Sequence, residues 1–396
     1  MQKSPFSRYL ESTIRTDAFK KNKIAFVSGP RQVGKTTLAK SLLSSAENYF
    51  SYDQETFRRA WAKYPDKSLE LRAPGPIILD EIHKDRNWKR KLKGIYDHNP
   101  HAGPYVVTGS ARLDIFRRGS DSLLGRYLPY RLHPISVGEK SLAPGPDQLL
   151  ENLVKPAFAF KDLLNLGGFP EPLFAGVQSD ALRWSRLRLE RLVQEDTRDL
   201  LMVSDLNAFR NLIELLPERV GSPLSINSLK EDVGKAYATV RSWYHVLEAL
   251  YYCFSIKPYH KKIARAIRAE PKMYLFDILR IPESQSGARL ENSAALHLLK
   301  ACHYWTDSGY GEFELNFVRD KSKREVDFLV VRDKAPWMLV ECKSGNSNPS
   351  TSLRYFSALL KPRHAIQLVA EPSHDRTFAE LKIRVIGYER FFAQLP

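Results

Sequence analysis

The residues near the amino end that are best suited to chemistry form one short segment. In order, it reads Gly29, Pro30, Arg31, Gln32, Val33, Gly34, Lys35, Thr36 and Thr37. It follows the apolar run 24–27 and precedes residues with helical apolar spacing, so it lies where a strand turns into a helix. Backbone N–H groups in such a loop can surround a phosphate, and the helix adds the positive end of its dipole. We therefore predict that this segment, called the phosphate loop below, binds a nucleotide.

Two side chains of the phosphate loop have predicted roles of their own. The Lys35 ammonium is expected to reach the β- and γ-phosphates of ATP, and the Thr36 hydroxyl is expected to hold Mg²⁺. The alternative is a glycine-rich turn with a chance lysine. The complete pattern is rare and its flanks are correct, which favours a nucleotide site.

A second signal is an acid pair, Asp80 and Glu81, directly after the apolar run 77–79. The carboxyl ends of parallel strands meet the nucleotide crevice in sheets of this kind. We predict that Asp80 supports the Mg²⁺ shell and that Glu81 polarises the attacking water. The alternative is a pair of solvated acids at an ordinary strand end. The next apolar strand leads to Thr108 and Ser110, either of which is a candidate sensor of the γ-phosphate or a plain strand terminus.

Five segments together carry a family resemblance. They are GPRQVGKTT, IILDEI, VVTGS, LLGRY and RLHPIS, which begin at residues 29, 77, 106, 123 and 131. With them the chain resembles the AAA-type ATPases, specifically the bacterial and archaeal group whose motor is fused to a C-terminal domain of restriction-nuclease type. The resemblance implies that Arg126 is an arginine finger or sensor for the γ-phosphate, in its own chain or in a neighbouring subunit. A homo-oligomer therefore stays open, and the competing arginines are Arg112, Arg117 and Arg118.

The region after residue 286 carries a second set of chemical residues. Its predicted order of helix, three strands, helix and strand resembles the PD-(D/E)XK nuclease core. The residues that match this core are Glu291, Asp327, Glu341 and Lys343. Under this resemblance the three carboxylates hold Mg²⁺ or Mn²⁺, and Lys343 positions or activates the attacking water. The alternative is a nuclease-like fold that is kept for binding and does not cleave.

Between these two regions the pattern predicts a winged helix-turn-helix. A helix through 229–233, a turn at Gly234 and a helix through 238–251 precede a hairpin and a basic stretch at 260–268. If this module binds DNA, one set of residues meets the groove and another meets the phosphates. The groove set is Lys235, Tyr237, Thr239 and Arg241, and the phosphate set is Lys261, Lys262 and Arg265. The alternative is a module that serves only in packing.

Composition narrows the partner and the compartment. The 396 residues contain 61 Lys and Arg against 45 Asp and Glu, a formal net charge of +16. This excess favours a polyanionic partner, with DNA ahead of RNA. Three widely separated cysteines exclude a disulfide framework and a zinc knuckle, and the apolar runs are too short to span a bilayer. We therefore expect a cytoplasmic protein with no membrane partner.

The sequence as a whole predicts an α/β protein in four parts. These are an AAA-type P-loop ATPase core with a parallel sheet at 1–140, a helical lid at 141–220, the winged helix-turn-helix at 221–285 and the PD-(D/E)XK-like domain at 286–396. The leading hypothesis is an ATP-hydrolysing protein that acts on nucleic acid and carries a metal-dependent nuclease-like domain. The rivals are an ATP-switched DNA-binding or assembly protein that does not cleave, and a signalling ATPase whose basic charge serves RNA or another acidic partner.

Overall fold

A computed structural model describes residues 6–69, 73–98, 103–109, 123–139, 145–196, 205–259, 270–345 and 347–396. These residues belong to two compact units. The N-terminal unit extends to Pro134, and the C-terminal unit contains Ile135–Glu139 together with the residues after the linker around 143. Several predicted residues lie outside the described part of the chain: Ser110, Arg112, Arg117, Arg118, Lys261, Lys262 and Arg265.

A parallel sheet forms the centre of the N-terminal unit. Its strands are β1 (Ile24–Ser28), β2 (Tyr49–Ser51), β3 (Ile77–Asp80), β4 (Tyr105–Thr108) and β5 (Tyr127–Arg131), in the spatial order β2-β3-β4-β1-β5. The apolar residues of β1, β3 and β4 are buried, as expected for central strands of a parallel sheet. Because β3 and β1 both adjoin β4, the phosphate loop after β1 and the acid pair after β3 lie at the same edge of the sheet.

The helices of this unit follow the strands in alternation. They are α1 (Tyr9–Ile14), α2 (Lys35–Ser41), α3 (Glu55–Lys63) and α4 (Trp88–His98). Trp61 of α3 and Trp88 of α4 pack with Phe26 and Leu79 of the sheet in one apolar core. This core fixes the strands whose ends carry the candidate nucleotide site.

The C-terminal unit begins with helices. They are α5 (Phe160–Leu166), α6 (Pro170–Ala175), α7 (Gln178–Arg191), α8 (Leu206–Leu215), α9 (Ile226–Val233) and α10 (Tyr237–Ala249). Gly234 adopts a left-handed conformation with φ 67° and ends α9, so α9 and α10 are joined by a sharp turn. Among the described residues, none of the helices combines the length and the apolar composition needed to cross a bilayer.

The second sheet spans the rest of this unit. Its strands are β6 (Cys253–Pro258), β7 (Lys272–Leu275), β8 (Phe313–Arg319), β9 (Glu325–Arg332), β10 (Ala335–Cys342), β11 (His364–Val369), β12 (Asp375–Phe378) and β13 (Ile383–Gly387). The spatial order is β12-β13-β11-β10-β9-β8-β6-β7. The accompanying helices are α11 (Ser286–Asp307), α12 (Thr351–Leu360) and α13 (Tyr388–Phe392).

The hairpin after α10 belongs to this second sheet. The stretch before residue 260, which was predicted to form a hairpin by itself, forms the single strand β6. Strand β6 pairs antiparallel with β7 and parallel with β8, through Lys257 and Asn316. The predicted winged helix and the predicted C-terminal domain therefore share one continuous sheet. This pairing brings Lys272 of β7 close to the acids of α11 and β9.

The last two residues of the RLHPIS motif, Ile135 and Ser136, begin the segment Ile135–Glu139. Lys300 of α11 contacts the Glu139 carboxylate and donates a hydrogen bond to Ser136 Oγ at 2.8 Å. The Val137 N–H donates to His297 Nε2 at 3.2 Å. The chain leaving β5 is thus anchored by buried polar contacts within the C-terminal unit.

Candidate nucleotide site and acidic cluster

The phosphate loop has the backbone conformation that its glycines were expected to allow. Gly34 has φ 99°, and α2 begins at the next residue without a side-chain cap. Gly29 has φ 150°, and a Cβ atom at this position would come within 2.2 Å of the Leu132 carbonyl oxygen. Both positions therefore require glycine, one for its left-handed φ and one for a close backbone approach. The first N–H groups of an α-helix lack intrahelical acceptors, so the start of α2 is a position at which an anion can bind.

Lys35 is nearly buried, with 7% of its surface exposed. Its Nζ donates hydrogen bonds to two carbonyl oxygens of the phosphate loop, 2.9 Å to Gly29 and 2.7 Å to Pro30. The ammonium is therefore held beside the loop by neutral acceptors. A triphosphate oxygen is a stronger acceptor for the same donor because its charge shortens and strengthens the hydrogen bond.

Asp80 is buried, and three hydroxyl groups contact its carboxylate. Thr36 donates to Oδ2 at 3.1 Å, Tyr49 donates to the same oxygen at 2.6 Å, and Thr108 donates to Oδ1. The predicted magnesium residues Thr36 and Asp80 are thus brought together. Thr108 orients this carboxylate in the structure, while its role as a γ-phosphate sensor stays a prediction.

Tyr49 is a residue of this site that sequence reasoning missed. It lies on β2, which pairs with β3, and this pairing places its hydroxyl beside Asp80. Burial and the neighbouring Asp80 raise the pKa of Tyr49 above its usual value, so the phenol remains a donor. The sequence gave only a weak signal for Tyr49, namely that the short strand before the acid pair contains side chains with hydroxyl groups.

Glu81 follows Asp80 with a positive φ of 56°, an uncommon conformation for a residue with a side chain. Burial raises the pKa of Glu81, while Lys35 and Lys84 oppose that shift. A carboxylate with a raised pKa is a better proton acceptor at neutral pH, and this suits the predicted role of polarising water. Glu81 thus directly follows Asp80, one of the two residues predicted to hold Mg²⁺.

Arg126 lies away from the phosphate loop. It directly precedes β5, and its carbonyl accepts a hydrogen bond from the Ile24 N–H at the start of β1. The phosphate loop begins at the other end of β1, where Ser28 pairs with Arg131. Five strand residues separate the two positions, about 15 Å along the sheet. The same-chain sensor role does not fit this position, and action on a neighbouring subunit stays a prediction.

Arg8 braces the phosphate loop and was not identified from the sequence. It is buried and donates from Nη1 to the Val33 carbonyl at 2.7 Å and from Nη2 to the His133 carbonyl at 2.6 Å. The guanidinium thus ties the phosphate loop to the chain that follows β5. The sequence offered only a lone arginine at the start of an amphipathic helix.

Two of the three predicted metal residues of the C-terminal unit, Glu291 and Asp327, lie beside a lysine. Lys272 Nζ lies 2.7 Å from Glu325 Oε1, 3.1 Å from Glu291 Oε1 and 3.9 Å from Asp327 Oδ1. Tyr274 also donates to Glu291 Oε1 at 2.7 Å. We call Glu291, Glu325, Asp327 and Glu341 the acidic cluster. Glu325 and Lys272 were missing from the sequence prediction, which assigned neither a role.

The other two acids of the cluster lie on neighbouring strands. Asp327 on β9 accepts a hydrogen bond from the Cys342 N–H at 2.8 Å, and Glu341 on β10 forms an ion pair with Lys343 at 2.7 Å. Burial, then Glu291 and Glu341, raise the pKa of Asp327 to about 8. Burial also raises the pKa of Glu341, and Lys343 opposes that shift. Burial is thus the main cause of both shifts, and repulsion from Glu291 and Glu341 adds to the shift of Asp327.

The donor atoms of the acidic cluster suit Mg²⁺ or Mn²⁺ in type, but their arrangement does not fit a resident ion. Across the described ranges, no group of three or more His, Cys, Asp or Glu side chains has an arrangement that could hold a metal. The Lys272 ammonium contacts Glu291 and approaches Asp327, two of the three predicted ligands. Magnesium requires oxygen ligands in near-octahedral geometry at about 2.1 Å. The charge that a metal would supply is thus provided by a side chain.

The helix-turn-helix exposes one face of α10. Tyr237 is 44% exposed, and Arg241 and His245 are also exposed on the same side of the helix. Thr239 is half-buried, and Lys235 forms an ion pair with Asp205 at 2.7 Å. Of the predicted groove residues, Tyr237 and Arg241 are therefore the ones most accessible to a partner.

Comparison with known protein families supports the N-terminal assignment. Residues 21–140 match the family described as an AAA domain. The parallel sheet and the conformation of the phosphate loop agree with this match, so this part of the chain is similar to an AAA domain. Residues 157–278 match a domain of unknown function, DUF8612, and residues 286–390 match another, DUF4143. Neither of these descriptions supports a nuclease.

Relatives and solved structures add little on function. The uncharacterized proteins Rv2008c of Mycobacterium tuberculosis and Mb2031c of Mycobacterium bovis are each 23% identical over 332 residues, 79% of this chain and 71% of theirs. The Aeropyrum pernix ORC1 protein in complex with DNA has 16% identity and a TM-score of 0.33, covering 74% of this chain and 94% of its own. The Thermotoga maritima RuvB Holliday junction branch migration motor has 18% identity and a TM-score of 0.31, covering 66% and 93%.

Proposed function

We propose that this protein is an ATPase that hydrolyses ATP and acts on DNA. The observation that carries the ATPase part is the convergence of Lys35, Thr36, Asp80 and Glu81 at one edge of the parallel sheet. Their types match the needs of phosphoryl transfer, which are charge neutralisation, metal binding and a positioned water. The matched AAA domain covers the same residues.

Each residue has a distinct part in this proposal. The Lys35 ammonium exchanges its carbonyl acceptors for phosphate oxygens, and the N–H groups at the start of α2 bind the same anion. Thr36 and Asp80 would hold Mg²⁺, which supplies charge neutralisation at the phosphates. The Glu81 carboxylate accepts a hydrogen bond from the attacking water and orients it. The raised pKa of Glu81 favours this role.

An ATPase assay tests this part directly. We expect Lys35→Ala to lose both nucleotide affinity and turnover, and Glu81→Gln to keep nucleotide affinity while turnover falls about 100-fold or more. Lys20→Ala is the matched control, because Lys20 is an exposed lysine of the same unit. Turnover unchanged in Glu81→Gln would remove that residue from the mechanism.

DNA binding is supported by charge and by the exposed face of α10. The net charge of +16 favours a polyanion, and Tyr237 and Arg241 are accessible on the second helix of a helix-turn-helix. We expect Arg241→Ala to weaken duplex binding several-fold in fluorescence anisotropy at two salt concentrations. Lys321→Ala, an exposed lysine in a distant turn, should have a smaller effect. Tighter binding to RNA than to duplex DNA would point to the RNA alternative.

A metal-dependent nuclease is the second candidate for the C-terminal unit. The positions of Asp327, Glu341 and Lys343 support it, whereas the Lys272 ammonium among the carboxylates favours a nuclease-like domain that does not cleave. We propose the non-cleaving role. The test is plasmid incubation with Mg²⁺ or Mn²⁺, with and without ATP, for which we expect no cleavage. Cleavage that disappears in Asp327→Ala and in Lys343→Ala would restore the nuclease hypothesis.

Action of Arg126 on a neighbouring subunit is part of the proposal. Arg126 is accessible at the edge of the sheet opposite the phosphate loop and pairs with Asp97, with Nε 2.6 Å from Oδ1. Mixing two inactive variants tests it. Lys35→Ala retains Arg126, and Arg126→Ala retains an intact phosphate loop, so a mixture should recover turnover if the arginine acts between subunits. A mixture that stays inactive argues against this role.

A further inference from the structure

Lys272 is an unusual lysine in its surroundings. It begins β7, is 2% exposed, and its Nζ lies 5.5 Å from the centre of the Phe317 ring. A lysine is rarely buried to this extent without a partner. Its partners are carboxylates of the acidic cluster, Glu325 at 2.7 Å and Glu291 at 3.1 Å.

Two other basic side chains also pair with carboxylates of the acidic cluster. Arg319 lies 3.6 Å from the other oxygen of Glu325, and Lys343 lies 2.7 Å from Glu341. The contacts of the Lys272 ammonium with Glu325 and Glu291 compensate for its burial.

The lysine and the carboxylates come from different parts of the chain. Lys272 lies within the segment 157–278 that matches one domain of unknown function, and the carboxylates lie within 286–390, which matches another. The pairing of β6 with β8 is what brings the two segments together. The contact is thus a tertiary one, and the sequence around Asp327 and Glu341 contains no sign of it.

We propose that Lys272 is the resident cation of the acidic cluster and excludes divalent metal ions from it. The ammonium holds the hairpin of β6 and β7 against α11 and β9, and it supplies the positive charge that the nuclease resemblance assigns to Mg²⁺ or Mn²⁺. This inference rests on the proposed non-cleaving role of the C-terminal unit. It goes further by stating that removal of this charge lets the side chains of Glu291, Asp327 and Glu341 rearrange around a divalent ion.

Manganese binding to the full chain, followed by electron paramagnetic resonance without nucleotide, tests this proposal. The wild type should show no Mn²⁺ binding that depends on Asp327. Lys272→Gln keeps a polar side chain without the charge and should gain one site, about tenfold or more tighter than any wild-type binding. Adding Asp327→Asn to Lys272→Gln should abolish the gain. Lys321→Gln, which also removes one lysine charge, should behave as the wild type.

Two results would overturn the proposal. One is Mn²⁺ binding by the wild type that is lost in Asp327→Asn, and the other is a folded Lys272→Gln variant, judged by circular dichroism, that gains no site. If Lys272→Gln does not fold, the wild type and Asp327→Asn decide: equal Mn²⁺ binding supports the proposal, and a difference rejects it. Plasmid cleavage is measured separately, so an absence of cleavage together with Asp327-dependent Mn²⁺ binding would reject this inference and leave the non-cleaving role intact.

Discussion

The phosphate loop and the acidic cluster each place a buried lysine near carboxylates, but the two lysines contact different groups. Lys35 donates to two backbone carbonyls of its own loop. Lys272 contacts the charged oxygens of Glu291 and Glu325. Neutral acceptors can be exchanged for a phosphate with a net gain, whereas separating a buried ammonium from its carboxylates costs several kcal/mol.

The carboxylates at the two sites also contact different kinds of groups. Asp80 is held by hydroxyl donors from Thr36, Tyr49 and Thr108, which orient the oxygens and leave the negative charge in place. In the acidic cluster, ammonium groups neutralise the carboxylates directly. Residue types alone therefore do not define a metal site. The groups that already contact the carboxylates decide whether a metal cation can bind to them.

The largest expected effect is on ATP turnover, through a substitution in the phosphate loop. Lys35→Ala should lower ATP turnover about 1000-fold, since it removes the cation that neutralises the β- and γ-phosphates. Lys272→Gln should leave turnover per folded molecule within about twofold, because Lys272 lies in the C-terminal unit. Steady-state phosphate release measures both. A turnover loss of similar size in the two variants would break the distinction between the two lysines.

The next largest effect is on the stability of the C-terminal unit, which contains the acidic cluster. Lys272→Met should lower the free energy of unfolding of the C-terminal unit by about 3 kcal/mol, because it leaves the half-buried carboxylates of Glu291 and Glu325 without their cation. Chemical denaturation followed by tryptophan fluorescence measures the change, with exposed Lys321→Met as the control. Unchanged stability in Lys272→Met would mean that the carboxylates do not depend on this ammonium.

A backbone substitution sharpens the comparison for the phosphate loop. Gly29→Ala should destabilise the N-terminal unit by about 2 kcal/mol and weaken ATP binding, since its Cβ meets the Leu132 carbonyl at 2.2 Å. Gly94→Ala is the matched control, because it lies in α4 and a Cβ there meets nothing within 4 Å. The control should be neutral or slightly stabilising. Equal effects of the two substitutions would contradict a special role for the conformation at Gly29.

The smallest expected effect is a pH response of the C-terminal unit. His297 accepts a hydrogen bond from the Val137 N–H, and burial lowers its pKa to about 4, with nearby Lys300 also lowering it and Glu139 and the Ser293 carbonyl opposing. The unfolded chain then binds more protons than the folded chain between about pH 6.5 and pH 4.

Stability should therefore fall as the pH drops through this window, by about 1 kcal/mol per pH unit for this histidine. His297→Gln should remove that part of the slope in denaturation experiments at several pH values. His364, whose pKa burial also lowers to about 4, should leave a residual slope. A slope identical in the wild type and His297→Gln would show that His297 does not take up a proton on unfolding.

Local signals in the sequence were sufficient to find the elements of the candidate nucleotide site. The phosphate loop, the buried strand before Asp80 and Glu81, and the order of strands and helices after residue 286 are all legible in the sequence, and the structure has each of them. The reason is that glycine conformations, strand patterns and helix starts depend on neighbours in the chain. Arg8 and Tyr49 could not be found this way, because their partners lie far away in the sequence.

Only the tertiary structure decided where the remaining charges lie. Sheet order moved Arg126 to the edge opposite the phosphate loop, and the pairing of β6 with β8 placed Lys272 among acids that follow it in the chain. Pairing between distant strands is set by packing of the whole unit and leaves no short motif in the sequence. The amino-acid sequence thus determined which reactive groups this protein carries, and the fold determined which of them are already bound to one another.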